Sequence, residues 1–177
     1  MAMSNQSINS SVIKICTINI CGMSSKSQFV LDKYVYDSDL DAIAVQETAT
    51  DDIEALSLSN MTMITDSNQA TNKGAALYVK DKHCLTKLEE ISKNYNNLDS
   101  CWGLVVINGT RYILGNVYMK LESISGISHV ISMLDRAQQL SSRLKAKGVI
   151  LIGDMNARHQ SWGDSTSNQY GKSYSKT

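Results

Sequence analysis

Proline is missing altogether: none occurs in 177 residues, where about 9 would be usual at ~5% of a chain. That absence excludes collagen-like, proline-rich and polyproline linker architectures. Net charge is missing too, because 17 Lys and Arg balance 17 Asp and Glu. No strongly basic footprint therefore argues for nucleic acid. Cys16, Cys21, Cys84 and Cys101 form no CxxC pair and have no histidines beside them at zinc-finger spacing. A zinc ribbon and a thioredoxin motif are ruled out, and the cysteines read as reduced core thiols. No stretch approaches the ~20 apolar residues of a membrane span, and the polar start has neither a basic nor an apolar signal-peptide region. The chain reads as soluble and intracellular, with no membrane partner.

What is present suffices for one core, since 42% of residues are apolar and 19% charged. The expected organisation is a disordered segment over 1–11 and one domain over 12–177. No internal repeat is visible. Charge is uneven along the chain: residues 1–110 hold 8 Lys/Arg against 13 Asp/Glu, and residues 111–177 hold 9 against 4. Folding can juxtapose these halves and neutralise them.

The β-branched run Val12 to Ile20 predicts a first strand, closed by Cys21-Gly22. Ser27 can cap a helix over Gln28 to Tyr36, with Leu31 and Val35 on one face. Leu40 to Gln46 predicts a second strand, so the opening reads as strand, helix, strand, a unit that builds parallel pairing. Short strands are expected at Met61 to Thr65 and Ala75 to Val79, with a polar turn from Asp66 to Gly74 between them. Asn108-Gly109 between two β-rich runs, Trp102 to Ile107 and Thr110 to Tyr118, predicts an antiparallel hairpin. Ser123 or Ser125 then opens a long helix along Ile127, Val130, Ile131, Leu134, Ala137 and Leu144. Val149 to Ile152 is a fully apolar strand running into Gly153-Asp154-Met155-Asn156, and the rest reads as loop. Mixed strands with helices on their faces predict two packed sheets with helices outside.

Polar residues at strand ends are where chemistry can sit, because the strand fixes them and the loop beyond admits substrate. These are Asn19, Gln46-Glu47, Asp154 with Asn156, and, from a fourth strand, Asn116 and Tyr118. One Glu, one Asp, several amides and a phenol form a hard-oxygen set that favours Mg2+ or Mn2+ over zinc. Mg2+ takes one or two carboxylates together with water and phosphate oxygen, which suits phosphoryl chemistry. Taken singly, each residue is also an ordinary strand-end polar group.

Four segments carry a resemblance: Ile18-Asn19-Ile20, Val45-Gln46-Glu47-Thr48, Lys73 to Tyr78 (KGAALY), and Leu151 to Ala157 (LIGDMNA). In this order the chain resembles the endonuclease/exonuclease/phosphatase superfamily over residues 12–177. Asn156-Ala157-Arg158-His159, Ser161-Trp162-Gly163, and Asn168 with Gly171 are similar to the apurinic/apyrimidinic-like endonuclease domain of non-LTR (LINE-type) retrotransposons. The resemblance implies an α/β fold, a four-layer α/β sandwich of two packed mixed sheets flanked by helices. It implies a Mg2+-dependent hydrolase that nicks DNA, with the nucleus as a candidate compartment. Glu47 would be the principal metal ligand and Asn19 its neighbour in the metal and phosphate shell. Tyr118 would contact the scissile phosphate, Asp154 would align or deprotonate the attacking water, and Asn156 would stabilise the transition state.

The sequence departs from that pattern in two places. Tyr118 is followed by Met119-Lys120-Leu121 where the family has a nearby proline. The family's further aspartate and its Ser-Asp-His segment do not follow the Gly-Asp-x-Asn loop, so a C-terminally truncated domain of low or no activity is expected. Loss of one positioned acid/base group costs ~10² to 10⁴ in rate. A catalytically silent remnant and a phosphoesterase acting on inositol phosphates or phospholipid head groups are the alternatives. His159 is expected to make a structural loop contact, Trp162 to pack its loop, and His83 and His129 to be solvated or packing residues.

Overall fold

The computed structural model describes residues 12–50, 52–66, 74–91, 95, 97–120 and 125–175. The disorder expected at 1–11, the body of the polar turn at 67–73 with Lys73, Leu121 and Ser123 lie outside these residues.

Strand β1 (Ile15–Asn19) is followed by α1 (Ser25–Ser38) and β2 (Ala42–Gln46). The two strands pair in parallel from Ile15↔Ala42 to Asn19↔Gln46, as the strand–helix–strand order predicts. Helix α1 starts earlier than expected. Ser24, not Ser27, is its N-cap, accepting from the Ser27 N–H at 3.1 Å. Leu31 and Val35 are its buried face. A short α2 (Ile53–Leu56), too brief to show a period, precedes β3 (Met61–Asp66) and β4 (Ala75–Lys80). Together these strands form one mixed sheet in the order β1-β2-β4-β3.

The second sheet holds β5 (Cys84–Lys87), β6 (Leu98–Ile107), β7 (Thr110–Met119) and β8 (Val149–Asp154), in that order. The β6–β7 hairpin turns through Asn108 at φ 49 and Gly109 at φ 77, the left-handed pair such a turn requires. Helix α3 (Ser125–Arg143) joins β7 to β8, which pair in parallel. Its buried face is Gly126, Val130, Met133, Ala137 and Leu140, whereas Ile131 faces out, contrary to the expected stripe. Beyond β8 the expected structureless loop is replaced by a 3-10 turn, Gln160–Trp162, and α4 (Gln169–Tyr174). Six residues are too few for an apolar repeat to register. Buried Tyr170 and the Asn168 cap hold α4 instead.

Three apolar clusters define the layers. Leu31 and Val35 of α1 cover Ile43, Val45, Ala76 and Tyr78 on the outer face of the first sheet. Alanines 42, 44 and 75, with Leu77, Cys101, Val105 and Leu114, fill the space between the sheets. Val130, Met133, Ala137 and Leu140 of α3 cover Trp102, Ile113 and Val117 on the outer face of the second. This is the expected helix, sheet, sheet, helix sandwich. All four cysteines are free, as expected, but only Cys101 is a core thiol: Cys16 is half-buried, and Cys21 and Cys84 are exposed. Among the described residues no helix is long and apolar enough to cross a membrane.

Candidate active site

The C-terminal ends of parallel strands β1 and β2 and of β8 open on the same edge of the sandwich. Asn19, the last residue of β1, donates from one Nδ2 to Glu47 Oε1 at 3.0 Å and to Asp154 Oδ2 at 3.0 Å. Its two amide hydrogens thus serve two carboxylates, one from each sheet. The amide cannot turn over, because Asn19 Oδ1 accepts from the Cys21 N–H at 3.1 Å. Asp154 is held at its other oxygen as well, where Oδ1 accepts from the Asn156 N–H at 2.9 Å.

Backbone strain gathers on this edge. Cys21 (φ 50), Glu47 (φ 55), Ala49 (φ 50) and Asn156 (φ 47) are left-handed without being glycine. Each costs about 1 to 2 kcal/mol, and none caps a helix or closes a hairpin. Strain of this kind persists where surrounding structure over-determines it, most often at functional sites. Gly153 is required by contact: at φ 141, a Cβ there would lie 1.9 Å from the Val117 carbonyl oxygen. That close approach seats the end of β8 against β7 and fixes the direction in which Asp154 leaves the sheet.

Asn156 Nδ2 donates to the Met119 carbonyl at 2.6 Å, leaving the second amide hydrogen for another acceptor. Its loop is clamped by Asn168, whose Nδ2 donates to Asn156 O at 2.6 Å and whose Oδ1 accepts from Arg158 N at 3.0 Å and Gly171 N at 2.9 Å. Asn168, named in the sequence only with Gly171 as part of the resemblance, has no role in the strand-end reading, because it lies twelve residues beyond the site. Tyr118 sits on β7 in register between Asp99 and Asp154, with 4% of its surface exposed.

Asp99 is an acidic group absent from the sequence reading, which starts this strand at Trp102, whereas β6 begins at Leu98 and takes Asp99 into the sheet. Burial pushes its carboxyl above the ordinary range, against the opposing pull of Lys120 and of the Gly74 N–H. Lys120 Nζ lies 3.4 Å from Asp99 Oδ1, and Gly74 N donates to Asp99 Oδ2 at 3.2 Å. Asn116, a strand-end candidate by sequence, is not at the site. It is fully buried, donates to the Val45 and Ala76 carbonyls at 2.9 and 2.8 Å, and accepts from Gln46 Nε2 at 2.7 Å. That triad bolts the second sheet to the first directly beneath Asn19 and Glu47.

The histidines lie outside the carboxylate cluster. His159 Nδ1 accepts from the Ser161 N–H at 3.2 Å and caps the 3-10 turn, the structural contact expected of it. His129 stacks on Tyr95 with ring centroids 3.6 Å apart. His83 is buried and donates to Asp41 at 2.9 Å, at the opposite end of the sheets. Trp162 departs from expectation: 53% exposed, it packs little of its loop. A cleft of about 730 Å³ runs from Gly153, Asp154 and Asn156 to Arg158 and Trp162. Another depression, about 950 Å³, lies between α1 and β3, away from these groups.

Among the described residues no three His, Cys, Asp or Glu side chains gather as a metal cage. Two carboxylates converging on one amide are still a suitable donor set for Mg2+, which completes its shell with water and phosphate oxygen.

No protein-family model matches the chain, and no curated protein matches it. Solved structures do. A mannosyl-6-phosphatase from Bacteroides thetaiotaomicron superposes with a TM-score of 0.66 at 14% identity, covering 84% of this chain and 67% of that one. The endonuclease domain of TRAS1, a telomere-specific non-LTR retrotransposon, gives 0.61 at 14% identity, covering 89% and 67%. An AP endonuclease from Archaeoglobus fulgidus gives 0.53 at 15% identity, covering 82% and 58%. The chain spans about two thirds or less of these structures, and at such identities the likeness is one of fold: the chain has the α/β sandwich of the endonuclease/exonuclease/phosphatase proteins.

Proposed function

We propose that the chain is part of a divalent-metal-dependent phosphodiesterase domain that nicks DNA and is of retrotransposon origin. The observation that carries this reading is the sharing of Asn19 Nδ2 between Glu47 and Asp154. Carboxylates converging on one amide repel one another, and a divalent cation is their natural complement. Glu47, with Asn19 beside it, would hold Mg2+ or Mn2+. When bound, the metal supplies positive charge to a phosphate oxygen and favours attack at phosphorus.

The protein's own groups account for the remaining chemistry. Asp154, fixed at both oxygens, orients a water molecule and takes up its proton. Asn156 offers its remaining amide hydrogen to a nonbridging phosphate oxygen as charge develops there. Tyr118 stands one strand away to contact the same phosphate. DNA as substrate draws support from the nuclease neighbours, the retrotransposon domain and the AP endonuclease. The mannosyl-6-phosphatase neighbour makes a small phosphoester the second reading.

The test pairs supercoiled plasmid in Mg2+ with phosphate release from sugar and inositol phosphates. Open-circular DNA that forms with Mg2+ and not with chelator is the expected result. Turnover of the small esters alone would overturn the DNA assignment. Mg2+ binding without turnover of any ester would leave the silent-remnant reading in its place.

A further inference from the structure

The two tryptophans have opposite fates: Trp102 is completely buried, and Trp162 leaves 53% of its surface in water. An indole so exposed forfeits hydrophobic stabilisation that a loop folded over it would recover. The loop is not slack, however. Asn168 ties it to Arg158 and Asn156, the Trp162 N–H donates to His159 O at 3.0 Å, and Gly163 turns the chain at φ 89. The His159 ring leans on the indole at 5.4 Å and 50°, bracing one side of it. A pinned loop thus holds a large flat side chain out toward solvent.

The indole also has a definite outlook. Trp162 lines the same cleft, about 730 Å³, as Asp154 and Asn156, and Arg158 and Asp164 line it too. That volume is ample for one nucleotide beside the reacting phosphate. Asp164 is held by the Thr166 N–H at 3.2 Å, so its carboxylate is a fixed acceptor in the wall.

We infer that Trp162 is a stacking platform for the nucleobase flanking the scissile phosphate, with Arg158 beside it to meet the adjoining phosphate. This inference rests on the phosphodiesterase reading above. A base offers a π face to the indole, an exocyclic amino group to Asp164 and a charged backbone to Arg158. Trp162, Asp164 and Arg158 present those three chemistries, and Leu151, Met155, Ala157 and Tyr174 add an apolar part to the lining.

The test measures anisotropy of an end-labelled single-stranded oligonucleotide, with Ca2+ replacing Mg2+ to prevent cleavage, against the same backbone carrying abasic residues. The full chain should bind the base-bearing strand about tenfold or more tighter than the abasic one. Trp162→Leu should erase that ratio and Trp162→Phe should restore most of it. Equal binding of both strands, or an unchanged ratio in Trp162→Leu, overturns the platform and leaves the phosphodiesterase reading intact. Failure to bind either strand also overturns the platform, whereas the phosphodiesterase reading is decided separately by the plasmid assay. Competition by mannose 6-phosphate that disappears in Trp162→Leu would assign the indole to a sugar and overturn the base.

Discussion

Asn19 and Asp154 stand 135 residues apart in sequence and 3.0 Å apart in space, amide nitrogen to carboxylate oxygen. The bond crosses from the edge strand of one sheet to the edge strand of the other, so it reports how the two sheets are seated. Asn19→Ala removes the amide that bridges the two carboxylates. Plasmid nicking by this variant is expected to fall about 100-fold, the scale of losing one oriented polar group at a reacting centre. Glu47 and Asp154 are only half-buried, so the freed carboxylates are resolvated and Tm should move little. A large loss of stability with intact specific activity would reassign Asn19 to a structural role.

Glu47 and Asp154 are expected to separate in their effects. Glu47→Ala deletes the carboxylate assigned to the metal and should weaken Mg2+ binding in calorimetric titration. Asp154→Asn keeps shape and one acceptor oxygen, and should spare metal affinity while lowering turnover about 10²- to 10⁴-fold. Unchanged Mg2+ affinity in the Glu47 variant would reverse the assignment.

Acid should find a weak point far from the site. Burial raises the Asp41 carboxyl, but the hydrogen bonds from His83, the Lys14 N–H and Lys82 outweigh it and hold the group at about 2 against its ordinary 3.8. A carboxylate with a depressed folded pKa contributes stability above its unfolded value and loses it as pH falls through the folded value. About 2 kcal/mol should therefore vanish between pH ~4 and ~2. Urea midpoints measured across that window should show the slope in the native chain, and Asp41→Asn should flatten it.

Much of the sandwich was legible because its signals are local. The Asn-Gly hairpin, the apolar β8 run and the parallel opening unit each follow from a few adjacent residues. The strand-end rule also named Asn19, Glu47 and Asp154, since an apolar run ending in a polar group marks where a sheet meets solvent. What escaped depends on residues distant in sequence. Asp99 lies inside β6 with Lys120 and Gly74 as partners, and Asn168 clamps a loop from beyond it. The exposure of Trp162 was misjudged for a related reason: whether a loop aromatic packs or projects is decided by how that loop is tied, and no local pattern encodes the tie. Asn116 erred in the other direction, because a strand-end amide and an inter-sheet bolt are spelled alike.

That bolt supplies the last expectation. Asn116 is fully buried and makes three bonds into the first sheet, to Val45 O, Ala76 O and the Gln46 amide. Asn116→Leu is close in volume but can make none of them, and it leaves two carbonyls and part of an amide without these partners in a dry interior. Each such loss costs about 1 to 3 kcal/mol, and relaxation of neighbours recovers some of it. A drop of about 3 kcal/mol in urea unfolding, on a scale where whole domains hold ~5 to 15, is expected. Asn116→Asp should be worse, because it buries a charge while keeping only the acceptor half of the side chain. The two variants together separate bonding from packing. If Asn116→Leu were as stable as the native chain, apolar contact between the sheets would be sufficient and the site above it would not depend on this anchor.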